Sequence, residues 1–238
     1  MNLTFKHLDK EISCMGIHEF VAKTARPLPV IILADVSGSM GADGKIEALN
    51  QALKDMIESF AQEGRMNAEI QLGLITFGES VTQHLPLSPA HKIKSFSRLD
   101  ALGRTPMGAA FDLVTELLQD KELIPSRAYR PVVILVSDGH PTDEIRRPFE
   151  RLTSGERSQK ATRLALAIGS DADLNFLQEF TNDIEAPLFK ANDAHDIRNF
   201  FRAVTMSVCA RSRSVKPNES VKIEYLPGDD DDLLELGF

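Results

Sequence analysis

Four short apolar runs, Val30 to Val36, Ile70 to Phe77, Val132 to Val136 and Leu164 to Ile168, limit what this chain can fold into. Each is rich in Val, Ile and Leu and bounded by Pro, Gly or Asp, as strands are. The first, third and fourth are apolar nearly throughout, the pattern of parallel strands covered on both faces. Between them the apolar period lengthens. Ile46, Leu49, Leu53, Ile57 and Phe60 recur every three or four residues, as do Ala110, Leu113, Val114, Leu117 and Leu118, which predicts amphipathic helices. Leu174 to Phe180 and Ile197 to Val208 are further helix candidates, the second ending in the basic run Arg211, Arg213 and Lys216. Strands alternating with helices predict βαβ units, a mostly parallel sheet and helices on both faces.

Val81 to Leu87 follows Phe77 after the turn Gly78-Glu79-Ser80, so it is expected to fold back as an antiparallel edge strand. Before Pro27 the pattern is weaker: Thr4 to Lys6 and Phe20 to Ala22 either add short strands or wrap the domain. Beyond Ser212 it dissolves into polar residues, Pro217, Pro227 and an acidic run, with a short strand candidate at Val221 to Tyr225. The expected division is an N-terminal extension over 1–26, one domain over 27–210 and a C-terminal extension over 211–238.

A 238-residue chain that is 42% hydrophobic and 26% charged has ample material for a core, which excludes wholesale disorder. Its net charge of −8 argues against a nucleic-acid groove, which needs clustered Lys and Arg. The charge is unevenly placed: Asp229 to Asp232 and Glu235 supply −5 and leave −3 for the remainder. No run approaches the roughly 20 apolar residues of a membrane span. Met1 to Lys10 lacks the apolar segment of a signal peptide, and Cys14 and Cys209 form no C-x-x-C pair. These features predict a cytoplasmic protein with reduced thiols, bound to neither membrane nor nucleic acid.

The stretch Asp35-Val36-Ser37-Gly38-Ser39 leaves the first apolar strand. In extended chain, residues i, i+2 and i+4 point to one side, so Asp35, Ser37 and Ser39 can present three oxygens to one point. All are hard ligands of the kind that Mg²⁺, Mn²⁺ or Ca²⁺ accepts. Two other loops offer more: Thr105 before a helix, and Asp138 after the strand Val132 to Val136. Each piece alone also has an ordinary use. Thr105-Pro106 suits a helix cap with proline at the first helical position, and Asp138-Gly139 suits a strand-ending turn. Asp143 is expected to cap the helix that follows it at Glu144. His140 is either a solvated loop residue or part of the rim, and the other histidines lack metal-ligand spacing.

Taken together, these residues resemble the von Willebrand factor A (VWA) domain and its metal-ion-dependent adhesion site. The family's D-x-S-x-S falls on Asp35, Ser37 and Ser39, its isolated threonine on Thr105, and the aspartate of its T/S-D-G turn on Asp138. The match runs over residues 27 to 208. The turns Thr105-Pro106-Met107-Gly108-Ala109-Ala110 and Ser137-Asp138-Gly139-x-Pro141-Thr142-Asp143 further resemble bacterial TerY-like proteins of tellurite-resistance and stress-response clusters. The resemblance implies a Rossmann-like α/β fold, a largely parallel sheet of about six strands with one antiparallel edge strand, and a divalent cation, Mg²⁺ foremost, at its top edge. It also implies a protein partner that offers a carboxylate to that cation, with a kinase or phosphatase of the same cluster as candidates.

The competing class is a metal-dependent phosphoryl-transfer or hydrolytic enzyme at the same residues. Haloacid-dehalogenase-type phosphatases also place Asp after a strand, but want a second carboxylate at i+2, where this chain has Ser37. Neither a G-x-x-x-x-G-K-[ST] loop nor a G-x-S-x-G elbow occurs. The reading is therefore a non-enzymatic interaction module. The acidic tail, with Leu233, Leu234, Leu236 and Phe238 beside its aspartates, reads as a solubilising end, a segment that docks on a basic groove, or an intramolecular cap on the metal.

Overall fold

The computed structural model describes residues 25–63, 67–182, 188–219 and 223. Thr4 to Lys6, Phe20 to Ala22, most of Val221 to Tyr225 and the acidic tail lie outside them. The described residues form a six-stranded sheet in the order β3-β2-β1-β4-β5-β6. Its strands are β1 (Arg26–Asp35), β2 (Ala68–Phe77), β3 (Val81–Pro89), β4 (Val132–Ser137), β5 (Thr162–Ile168) and β6 (Phe189–Ala191). All neighbouring pairs are parallel except β2 and β3, which form the expected antiparallel edge. Helices α1 (Lys45–Gln62), α2 (Met107–Gln119), α3 (Arg146–Ser154), α4 (Leu174–Phe180) and α5 (Ala194–Arg213) cover the faces.

Alternation within the strands sorts the core into two layers. Val30, Ile32 and Ala34 of β1 pack with α1 and α5, in a cluster that includes Leu49, Leu53, Phe200 and Phe201. Ile31 and Leu33 face the other way, against α2, α3 and α4. There Phe111 packs its ring within 5.5 to 6.0 Å of Phe149, Phe176 and Phe180. Phe111 and Phe180 stack with ring planes 19° apart, an offset arrangement favoured by the ring quadrupoles.

Two elements differ from the sequence expectation. β1 begins at Arg26 rather than Val30, despite Pro27 and Pro29. Over Arg26 to Pro29 it pairs only with β2, and pairing with β4 starts at Val30. The prolines therefore sit where β1 has a neighbour on one side, and their missing N–H groups break no second ladder. β6 was not legible as a run because it is three residues long, held by β5 through Leu166↔Phe189 to Ile168↔Ala191. No helix among the described residues is long and apolar enough to cross a membrane. Cys209 is a buried free thiol whose pKa burial pushes up to about 12, with the Glu63 carboxylate adding to the shift.

Candidate metal centre

Parallel register brings the ends of β1 and β4 together. Ala34 pairs with Val136, so the next residues, Asp35 and Ser137, emerge side by side at the carboxyl edge. The chain reverses its direction of winding between β1 and β4, and the crevice at such a switch point is the usual ligand site of open α/β sheets.

Asp35 is completely buried. Its Oδ1 accepts a hydrogen bond from the Ser37 amide at 2.9 Å, and its Oδ2 accepts one from Ser137 Oγ at 2.6 Å. Ser39 Oγ donates to Asp138 Oδ1 at 2.7 Å and lies 3.0 Å from Ser37 Oγ. A hydroxyl has one proton, already used by Ser39 toward Asp138, so Ser37 is the donor in the serine pair. Asp35, Ser37, Ser39 and Asp138 thus form one polar cluster. Thr105 Oγ1 lies beside the Asp138 loop: a Cβ added to Gly139 would lie 3.8 Å from it. Ser39 is the exposed member, while Ser37, Thr105 and Asp138 are buried.

The surrounding loops are packed backbone to backbone. Gly38 N donates to Gly103 O at 3.1 Å and Leu102 N to Val36 O at 2.7 Å, tying the β1 exit to the loop before α2. Gly103 has φ +90°, and a side chain there would overlap the Glu79 backbone of the β2–β3 turn. Only glycine permits that conformation and that approach. Thr105 keeps its place through its backbone: its amide donates to Thr142 Oγ1 at 3.1 Å, and its carbonyl accepts from Thr142 N at 2.9 Å.

One expectation is corrected here. Helix α2 starts at Met107 with Pro106, not Thr105, at its cap position, so the alternative use of Thr105 as the cap is not taken up. The cap comes from Asp143, whose carboxylate accepts from Gly108 N at 3.0 Å and Ala109 N at 2.9 Å. It serves α2 across the crevice, rather than the helix after it, because the β4 loop folds against the first turn of α2. That carboxylate stabilises the free N–H groups at the helix start and locks the Thr105 and Asp138 loops together.

Lys45 was not singled out by the sequence pattern. As the first residue of α1 its Nζ donates to Asp138 Oδ2 at 2.9 Å, with 18% of its side chain exposed and none of the Asp138 side chain. A lysine at a helix N-terminus opposes the helix dipole, and that local mismatch was the one available signal. His140 turns away from the cluster, its Nδ1 lying 3.2 Å from Asp173 Oδ2.

The donor set fits a hard divalent cation. It consists of two buried carboxylates and hydroxyl oxygens, with no group of three or more His, Cys, Asp or Glu suited to a metal among the described residues. Asp138 already engages one positive charge, the Lys45 ammonium. Among the described residues Asp35 engages none, and burial pushes its pKa up to about 6, with the Asp138 charge adding and the Ser137 and Ser37 hydrogen bonds opposing. The cluster is short of positive charge at neutral pH.

Known proteins place this architecture. Residues 30–203 match the von Willebrand factor type A domain. An uncharacterized protein of Mycobacterium tuberculosis is 27% identical over 154 residues, 57% of this chain and 24% of that protein. The chain thus spans about a quarter of that relative. Proximal thread matrix protein 1 of the mussel byssus superposes with a TM-score of 0.61 at 18% identity, over 79% of this chain and 49% of that one. The same mussel protein is also known with a zinc-occupied MIDAS motif, at a TM-score of 0.59, 17% identity and 79% and 48% coverage. The manganese-loaded TRAP protein of Plasmodium vivax gives 0.52 at 19% identity, over 74% and 72% of the two chains. At these identities the structural likeness is one of fold. With the family match spanning most of its length, the chain belongs to the von Willebrand factor type A domain family.

Proposed function

We propose that this chain is a metal-dependent protein-binding module. Asp35, Ser37, Ser39, Thr105 and Asp138 hold one divalent cation, Mg²⁺ foremost and Mn²⁺ or Ca²⁺ as substitutes. The observation that carries the reading is the buried carboxylate pair, Asp35 and Asp138, with burial pushing the pKa of Asp35 up to about 6. Structural neighbours with zinc or manganese bound in the same fold support it. When bound, the cation supplies a directional, partly dehydrated positive charge on which a partner carboxylate can close. The chain's own contribution is preorganisation: Ser137 and the Ser37 amide fix Asp35, and Asp143 holds the Thr105 and Asp138 loops in register. Ser37 and Ser39 would offer the cation their hydroxyl oxygens. No histidine among the described residues hydrogen-bonds either serine hydroxyl, so a Ser–His pair is not formed there.

The setting proposed is that of the TerY-like proteins: a cytoplasmic stress-response or defence system, with a kinase or phosphatase of the same cluster as partner. Pull-down of the full chain from native cells, in Mg²⁺ and in EDTA, with Asp35→Ala in parallel, tests it. Partner recovery should disappear in EDTA and in the variant. Undiminished recovery in both would sink the proposal, and Mg²⁺-dependent phosphatase activity of the clean protein would favour the enzyme reading instead.

A further inference from the structure

The opposite edge of the sheet carries a groove of about 400 Å³. It lies where the chain enters β4 and β5, beside Arg130 and Pro131, the α2–β4 loop and the turn that holds Glu156 and Lys160. β4 is six residues long, so this edge is roughly 20 Å from the Asp35–Asp138 cluster. Four bases line the groove, Lys121, Arg130, Arg157 and Lys160, against one acid, Glu156. Among the described residues none of the four is ion-paired with a carboxylate. Arg157 is tied to the carbonyls of Gln119 and Ile124, which fixes its charge in the wall. Pro125 and Tyr129 add apolar surface. The groove therefore suits a segment that is both acidic and apolar.

This chain contains such a segment, and it departs from the groove itself. Asn218 lines the groove and its Oδ1 accepts from Arg130 N at 2.7 Å. Asp229 follows eleven residues later and only six after Ile223, a reach of up to roughly 20 Å from that residue when extended. Ile223, between them, is buried in the core on the α1–α5 face and keeps the chain close to the domain. Pro227-Gly228, a turn-favouring pair, immediately precedes the acids. Residues 229–238 then combine five carboxylates with Leu233, Leu234, Leu236 and Phe238.

We propose that residues 229–238 dock in cis into the basic groove at the amino edge of the sheet. Acids of the segment pair with Lys121, Arg130 and Lys160, and its leucines and Phe238 cover Pro125 and Tyr129. A tether this short supplies an effective concentration on the order of millimolar, so modest contacts suffice. The contact is screened by salt, since the bases other than Arg157 are exposed. Docking there leaves the metal edge open, in contrast to a tail that caps the cation.

The chain has no tryptophan, so Phe238→Trp in the full protein provides a single reporter. Its emission should be blue-shifted relative to a synthetic peptide of residues 226–238 carrying the same substitution, and independent of protein concentration. Lys121→Glu/Lys160→Glu should return it to the peptide value, and adding Asp230→Lys/Asp231→Lys should restore the shift by charge exchange. Emission equal to the peptide's in the parent chain overturns the proposal, as does a shift that survives reversal of the groove charges. A shift that grows with protein concentration assigns the groove to a second copy's tail and overturns docking in cis.

Discussion

At the carboxyl ends of β1 and β4 two carboxylates are withdrawn from water and held by hydroxyls, an amide and one lysine. At the amino ends of β4 and β5 four bases stand around a groove, three of them exposed. The two edges carry charge of opposite sign under opposite solvation, and the energetics differ accordingly. A buried carboxylate without a cation costs stability, and that cost is recovered when a cation arrives. A solvated lysine costs almost nothing and contributes little until a partner presents several charges at once. On the function proposed, the carboxyl edge responds to an ion and the amino edge to a polyanionic segment.

Removing a carboxylate should break this contrast most sharply. Asp138→Ala should lower Mg²⁺ affinity about 100-fold in a calorimetric titration, since even partners outside the coordination sphere cost 10- to 100-fold. Unchanged affinity would show that the edge holds no cation.

Asp35→Asn should raise metal-free stability at pH 7.5 by about 1 to 3 kcal/mol, read by urea denaturation. The sign follows from a folded pKa of about 6 against an ordinary value of 3.8. The folded chain holds that proton more tightly, so its favourable contribution is complete below pH 3.8 and is lost as pH rises through 6. Asparagine never ionises, so the gain should vanish by pH 4. Saturating Mg²⁺ should reverse the order, with the parent chain the more stable. A gain that persisted unchanged at pH 4 would show that ionisation of Asp35 is not its source.

Lys45→Met removes the lysine paired with Asp138 and should cost about 1 to 2 kcal/mol without metal. It should also tighten Mg²⁺ binding, because the ammonium and the ion compete for the same carboxylate. Weaker binding in this variant would mean that Lys45 positions Asp138 for the ion rather than competing with it. The smallest effect belongs to the other edge. Lys121→Glu/Lys160→Glu should change the unfolding free energy read by urea denaturation by no more than about 0.5 kcal/mol, as substitutions of solvated surface charges do. A larger loss would show that these lysines hold the fold as well as line a groove.

Much of the fold was legible because β1, β4 and β5 are buried on both faces and must be apolar throughout. The β2–β3 hairpin was announced by Gly78-Glu79-Ser80. β6 escaped notice because three residues carry no period, and the short α3 was anticipated only as a helix after Asp143. The oxygens of Asp35, Ser37 and Ser39 were predictable from strand geometry, a local property. Asp143 was assigned to the wrong helix because capping was read as a neighbour effect, whereas it acts across 35 residues of sequence. Lys45 and Ser137 were missed for the same reason: their partners lie 93 and 102 residues away.

The sequence by itself determined the strand and helix alternation and which residues bear hard oxygens, because these follow from period and residue chemistry. Tertiary structure alone decided how far Asp35 is withdrawn from water, that Lys45 reaches Asp138, and that four bases gather at the opposite edge. Those depend on parallel register and crossover topology, which set distances between residues far apart in the chain and leave no trace in local pattern.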